Sequence, residues 1–331
     1  MLVQEKRKTI NNLRQQPNLE VVNNIPYKVI SLFSGCGGMD LGFRGDFTFL
    51  GKFFNPLPFE VIWANDFNNA ACQTYKKNLK HDIVHGDIWE HINDIPPKAD
   101  VVIGGFPCQD ISVNGKGAGV DGKKSGLYRA MVEVVKKVQP KIFIAENVKG
   151  LLMKHNKNSL KRVIDDFSAL GYDVTYKLYH AAEFGVPQTR ERVLIIGTKL
   201  GVAKFTHPDP IYPPEMWITA EQALNDLEEV ELNPSINHIW SVAKKSPEQG
   251  SRRFKANRAG YTVRAECHGN IHFHYKLDRR ISMREAARIQ SFPDDFIFQS
   301  KLRETERQVG NAVPPVLAWH IAKSVHQSLI G

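Results

Sequence analysis

Cys108 lies in Gly104-Gly105-Phe106-Pro107-Cys108-Gln109, directly after the apolar run Val101-Val102-Ile103. A second apolar run, Ile142-Phe143-Ile144-Ala145, leads into Glu146-Asn147-Val148. A strand that ends in a Gly-Gly-x-Pro turn presents its next side chain at the carboxyl edge of a sheet, where open α/β folds do their chemistry. A thiol there can act as a nucleophile, and a carboxylic acid at the next strand end can supply a proton. The plain alternative for a lone cysteine is a small buried hydrophobe. Pro107 on one side and Gln109-Asp110 on the other count against burial.

Three further strand ends carry the parts of a nucleoside site. Phe33 precedes the turn Ser34-Gly35-Cys36-Gly37-Gly38, whose glycines let backbone approach a ligand closely. Asp66 ends the run Phe59–Ala64 plus Asn65, where an acid commonly accepts from both ribose hydroxyls. Asp87 follows Asp82–His85 and Gly86, placed for an exocyclic amine such as adenine N6. Helix capping is the plain alternative for both acids. The turn is not GxGxxG and there is no P-loop, which argues against a dinucleotide and its pyrophosphate.

The elements that must position these residues alternate. Strands are expected at Lys28–Phe33, Phe59–Ala64, Asp82–His85, Val101–Ile103, Lys141–Ala145, Val174–Leu178 and Val193–Gly197. Helices are expected at Met39–Phe43, Asn69–Lys80, Leu127–Val138 and Ser159–Leu170. This alternation predicts a doubly wound, mostly parallel α/β sheet. Ser282 with Glu285 forms a capping box for a helix to Gln290, and helical patterning returns at Pro315–Leu329.

At 331 residues, 42% hydrophobic and 24% charged, the chain can bury a full core plus a smaller second unit. No apolar stretch has the length of a membrane span, and residues 1–26 lack the apolar core of a secretory signal. Cys36, Cys72, Cys108 and Cys267 form no CxxC pair, so neither a zinc site nor a disulfide framework is expected, and a reducing cytoplasm is. The net charge of +9 is unevenly spread. Residues 200–239 carry one Lys against seven acids; residues 240–280 carry ten Lys and Arg against three acids, with Phe254, Tyr261, Phe273 and Tyr275 interleaved. That mixture suits phosphates and base edges. Four prolines between Pro208 and Pro214 mark a boundary near residue 200. The expected organisation is an arm (1–26), a catalytic and cofactor domain (27–199 with 311–331), an irregular recognition domain (200–280) and a bracing region (281–310).

Eight segments, in order from about Lys28, resemble the DNA cytosine-C5 methyltransferases, the S-adenosylmethionine-dependent enzymes of bacterial modification systems. They are Leu32–Gly38, Asn65-Asp66, Gly86-Asp87-Ile88, Gly104–Gln109, Glu146-Asn147-Val148, Gln188-Thr189-Arg190-Glu191-Arg192, Arg284–Pro293 and Gln308–Pro315. The resemblance implies that Cys108 attacks C6 of a cytosine flipped out of duplex DNA. It implies that Glu146 bonds N3 and the amino group, that Arg192 contacts O2, and that Arg190 lies close to a DNA phosphate. For S-adenosyl-L-methionine it implies adenine stacking by Phe33, close backbone at Gly35 and Gly37, the ribose on Asp66 and the adenine amine on Asp87. Pro107 would line the pocket, with Asn311 and Val313 closing it near the methionine end. No metal is implied. The helix holding Arg284 and Arg288 reads as a brace.

The chain departs from the family pattern at Ser31, where many members have an acid, and at Asn114, where some have Ser. The loop Asn114–Gly119 keeps the glycines a lid needs, and the phenylalanine-rich stretch between Gly42 and Phe59 has no assigned function. Residues 200–280 occupy the place of the family's target-recognition domain, with Gly260-Tyr261-Thr262-Val263-Arg264 resembling its Thr-containing core. Thr262 and the arginines Arg252, Arg253, Arg258 and Arg264 are candidate contacts to guanine or phosphate. The expected partners are double-stranded DNA and a separately encoded endonuclease, with the chain a monomer. A tRNA cytosine methyltransferase is the nearest alternative, disfavoured by the basic insert. A binder without turnover is disfavoured by the intact Cys108, Glu146 and Arg192.

Overall fold

Alternate residues of the central strands fall into two separate buried clusters. Val29, Ile103, Ile142, Ile144, Leu194 and Ile196 lie in one, and Ile30, Leu32, Val102, Phe143, Val193 and Ile195 in the other. A strand covered on both faces needs apolar residues at every position, which is why these segments read as continuous apolar runs. The computed structural model describes residues 25–106, 126–242, 252–265 and 272–331. Cys108, Pro107, the loop Asn114–Gly119 and the arm up to residue 24 lie outside the described residues.

In chain order the first half runs β1 (Tyr27–Leu32), α1 (Gly38–Arg44), β2 (Phe47–Phe49), β3 (Lys52–Phe54), β4 (Phe59–Asp66), α2 (Asn69–Leu79), β5 (Val84–His85), α3 (Ile88–His91) and β6 (Val101–Gly105). Then follow α4 (Gly126–Val138), β7 (Ile142–Val148), α5 (Lys157–Ser168), β8 (Tyr172–His180) and β9 (Glu191–Lys199). The remainder carries α6 (Ala220–Leu224), α7 (Met283–Ile289), α8 (Leu302–Asn311) and α9 (Pro315–Ile330).

The sheet order is β5-β4-β1-β6-β7-β9-β8. Its first five strands are parallel, and β9 runs antiparallel to both β7 and β8. The chain winds outward from β1 through β4 to β5, then returns to place β6 on the other side of β1. The reversal leaves a crevice at the carboxyl ends of β1 and β6, the place where doubly wound sheets bind ligands.

The unassigned phenylalanines have a packing role. β2 and β3 pair as a hairpin with Phe47 stacked on Phe54 at 4.9 Å, and Phe54 meets the edge of Trp319 on α9 at 5.3 Å. A Cβ at Gly42 of α1 would lie 2.4 Å from the Ala318 Cβ, so only glycine lets α9 approach this closely. The capping box of α7 is present: Glu285 N–H donates to Ser282 Oγ at 3.0 Å and Ser282 N–H to Glu285 Oε2 at 2.7 Å. The described part of residues 200–280 is irregular, held by α6, short 3-10 turns and isolated bridges such as Arg253–Phe273. Helix α8 was not expected. Its Lys301 cap makes no side-chain bond, and its closing Gly310-Asn311 reads as a turn.

Candidate active site

Glu146 and Arg192 come together at the carboxyl end of β7. Arg192 Nε pairs with Glu146 Oε1 at 2.7 Å, and the two side chains are 12% and 11% exposed. In the ladder Glu146 faces Leu194 while Arg192 faces Val148, so the pair is diagonal on one face of the sheet. Gly105 on β6 is opposite Glu146 in register, and a Cβ there would lie 2.9 Å from Glu146 Oε2. Glycine at that position therefore keeps space open beside Glu146 Oε2.

Asn147 fixes the approach to the cysteine turn. Its side-chain amide donates to the Phe106 carbonyl at 3.0 Å, and its Oδ1 accepts from Val148 N–H at 2.9 Å. The backbone one residue before Pro107 is thus tied to the strand end carrying Glu146. Sequence reading quoted Asn147 within its motif and gave it no role. An amide directly after a strand-end acid was the available signal. Cys36 and Cys72 are buried with their S–H groups directed at the Gln308 and Asp66 carbonyls. Burial pushes the Cys36 thiol well up and the Cys72 thiol to about 12, so neither is a ready nucleophile.

At the β1–β6 crevice, Phe33 adopts φ +53° and Gly35 φ +57°. Among the described residues nothing lies within 4 Å of a Cβ built on Gly35, as close approach of a ligand requires. The expectation for Gly37 is corrected. A Cβ there would lie 2.4 Å from Leu79 and 2.9 Å from Tyr75, and its N–H donates to the Ser34 carbonyl. Gly37 serves helix packing and the left-handed turn (φ +88°), not ligand approach.

Asp66 accepts from Gly35 N–H and Asn68 N–H, both at 2.8 Å, one on each oxygen. Each carboxylate oxygen has about two acceptor sites, so among the described residues one remains open on each. Burial raises the Asp66 carboxyl, opposed by these two N–H groups. The cap of α2 is Asn68, whose side chain accepts from Ala71 N–H, so Asp66 is not spent on capping. Asp87 does cap α3, accepting from Trp89 N–H at 3.0 Å. Asn65 donates to the Val84 and Gly86 carbonyls and so fixes the turn that presents Asp87. Phe67, 74% exposed directly after Asp66, was missed. An aromatic following a strand-end acid was its signal.

The C-terminal segment returns to this edge. A Cβ on Gly38 would lie 2.4 Å from the Val313 carbonyl oxygen, and Val313 is buried while Asn311 is exposed. Arg190 is a correction. It is 0% exposed, donating from Nη1 to the Val263 carbonyl at 3.0 Å and from Nη2 to the Gly310 and Ala312 carbonyls at 2.9 and 3.1 Å. A guanidinium enclosed in this way cannot reach a phosphate.

The recognition candidates separate. Arg252, Arg258 and Arg264 are exposed. Arg253 is corrected: its guanidinium donates to the His274 and Leu277 carbonyls at 2.8 Å and pairs with Asp278 at 3.0 Å. Thr262 directs its hydroxyl to the Thr189 carbonyl at 2.9 Å. Arg284 donates to the Ile236, Pro293 and Phe296 carbonyls, and Arg288 pairs with Asp226 and Asp294, as braces do. A cleft of about 660 Å³ between the β2–β3 hairpin and α6 is lined by Asp46, Asp226, Asp294 and Asp295 and lies away from the strand ends. Its acidic lining does not suit phosphate. Among the described residues no His, Cys, Asp or Glu group is placed to hold a metal, and no helix is long and apolar enough to cross a membrane.

A glycine turn and strand-end acids lie at the same sheet edge as a carboxylate–guanidinium pair, on a doubly wound, mostly parallel sheet. The model of the C-5 cytosine-specific DNA methylases matches residues 27–246 and 231–327, and the chain belongs to that family. The type II methyltransferase M.NgoFVII of Neisseria gonorrhoeae is 38% identical over 94% of this chain and 89% of its own. M.FnuDI of Fusobacterium nucleatum is 35% identical over 91% and 95%. A putative DNA modification methyltransferase encoded within an E. coli prophage has the same fold, at TM-score 0.67 and 24% identity over 92% of this chain and all of its own. Spodoptera frugiperda DNMT2 shares the fold at TM-score 0.66 and 16% identity over 90% of this chain and 99% of its own.

Proposed function

We propose that this cytosine methylase takes its methyl group from S-adenosyl-L-methionine and places it on C5 of one cytosine within a short duplex sequence. The observation that carries the reading is the Glu146–Arg192 pair, beside the open space at Gly105 and the Asn147 tie to the cysteine turn. The crevice residues fit the donor. Gly35 has an empty Cβ position, Asp66 keeps free acceptor sites, and Phe33 and Phe67 offer aromatic faces. Asp87 lies at the β5 end, and Val313 and Asn311 close the segment that returns to Gly38. S-adenosylmethionine supplies a methyl group on cationic sulfur, transferable to a carbon nucleophile.

Cys108 as thiolate adds to C6 of the flipped base, which makes C5 electron-rich. The Glu146 carboxyl shares a proton with N3 and accepts from the amino group, and Arg192 donates to O2, so charge gathered on the ring is stabilised as it forms. Once C5 carries the methyl group, its proton leaves to a base and the C6–S bond breaks. Aromaticity and the thiolate are restored together. Arg252, Arg258 and Arg264 present cations to duplex DNA. The chain acts as a cytoplasmic monomer that protects sites cut by a separately encoded endonuclease.

A duplex carrying 5-fluorocytosine at the target tests this reading, because fluorine cannot leave as a cation and the Cys108–C6 bond is trapped. The wild-type chain is expected to form a denaturation-resistant adduct with S-adenosylmethionine present, and Cys108→Ser none. An adduct that survives Cys108→Ser would overturn the assignment.

A further inference from the structure

Arg190 sits two residues before Arg192, in the segment that enters β9. That segment is strapped to the recognition core. Thr189 N–H donates to the Gly260 carbonyl at 2.8 Å and Gly260 N–H to the Pro187 carbonyl at 2.9 Å. Val263 N–H donates to Gln188 Oε1 and the Thr262 hydroxyl to the Thr189 carbonyl, both at 2.9 Å. Arg190 completes the strap: one arm holds the Val263 carbonyl, and the other holds the carbonyls of Gly310 and Ala312 beside Asn311. The far side is equally close, since a Cβ on Gly310 would lie 2.3 Å from Ala265 N.

This guanidinium is costly to hold. It is fully buried, and among the described residues its partners are neutral carbonyls and its Nε has no acceptor. Burial and the Arg192 charge both push its pKa down, with Glu146 opposing. A neutral side chain would brace two segments at lower desolvation cost. What the planar fork adds is geometry, because its two arms fix three segments at set angles to one another. Tyr261 and Arg264, exposed on the strapped segment, are where DNA would press on it.

We propose, resting on the methyltransferase reading above, that Arg190 is a positioning residue that makes the transfer step depend on correct seating of the segment from Gly260 to Val263 on DNA. A segment seated on the wrong sequence draws the Val263 carbonyl off Arg190. Two residues further on, Arg192 then moves relative to Glu146. A displacement of about 1 Å at such a pair costs roughly a hundredfold in rate.

The test compares single-turnover methylation of a duplex bearing the mapped site with one bearing a single changed base pair outside the target cytosine. Enzyme and S-adenosylmethionine are saturating, so binding differences drop out. Arg190→Lys keeps the charge and loses the fork, and Thr262→Val removes one strap bond without changing size. Both variants are expected to slow transfer on the correct site by about tenfold or more, and to bring the two rate constants closer by a similar factor, with burst amplitude unchanged. A brace alone would lower amplitude or melting temperature and leave the ratio of rate constants at the wild-type value; that result in either variant overturns the proposal. A wild-type chain that methylates no duplex would instead overturn the methyltransferase reading.

Discussion

Arg192 Nε and Glu146 Oε1 meet at 2.7 Å across the antiparallel seam of β7 and β9, where a parallel sheet changes direction. Both side chains are nearly enclosed, so each compensates the other's charge. Glu146→Gln leaves Arg192 without its counter-charge and removes the carboxyl that exchanges a proton with the ring nitrogen. Transfer is expected to fall by about 10²–10⁴-fold, the range for a lost acid-base group. DNA binding measured by fluorescence anisotropy should stay within a few-fold of wild type. Full turnover in Glu146→Gln would remove this carboxyl from the chemistry.

Two alanine substitutions in one turn should behave differently. Gly37→Ala forces a Cβ to 2.4 Å from Leu79, so it should lower stability by about 1–3 kcal/mol in a denaturant titration. Gly35→Ala meets no atom within 4 Å of its Cβ, so its stability loss should be limited to the strain of a left-handed alanine, about 1–2 kcal/mol. Its larger effect should be on calorimetric binding of S-adenosylhomocysteine. Equal losses of binding in the two variants would contradict the division.

Salt dependence separates the neighbouring arginines. Removing one phosphate contact lowers the slope of log K against log salt by about 0.9. Arg252→Gln is expected to produce that change. Arg253→Gln should destabilise the recognition region, where Arg253 holds His274, Leu277 and Asp278, and leave the slope unaltered. A reduced slope in Arg253→Gln would return that residue to the DNA-facing surface.

Glu306 on α8 gives a pH signature. Burial raises its carboxyl from 4.5 to about 7, while Arg280 and Arg303 oppose the shift. The folded chain therefore binds the proton more tightly than the unfolded one. Its contribution to stability is complete below about pH 4.5 and is lost as pH rises through 7. Glu306→Gln should be more stable than wild type at pH 8 by about 1–3 kcal/mol, with the difference vanishing near pH 4.5. Urea midpoints at the two pH values read it directly, and a constant difference would show that this carboxyl does not titrate in the range.

The parallel core was legible because strands covered on both faces must be apolar throughout, as Val101–Ile103 and Ile142–Ala145 are. Strand-end polar residues stood out against those runs, which is how Glu146, Asp66 and Asp87 were found. Apart from the bracing Arg284 and Arg288, the roles of the arginines were not legible. Arg190, Arg192, Arg252 and Arg253 look alike in sequence, and only the fold decides which guanidinium meets a carboxylate, a cage of carbonyls or solvent. Helix α8 was hidden for a local reason, having no side-chain cap at Lys301 and a Gly-Asn end. The β2–β3 hairpin was hidden because three-residue strands give too few alternations to show a period of two.

The most direct test of the central claim is to incubate the chain with methyl-tritiated S-adenosylmethionine and mixed-sequence plasmid DNA, then map the product by bisulfite sequencing. Label in DNA, with 5-methylcytosine confined to one short recurrent sequence, is the predicted result. No label in DNA, or label in tRNA alone, would contradict it.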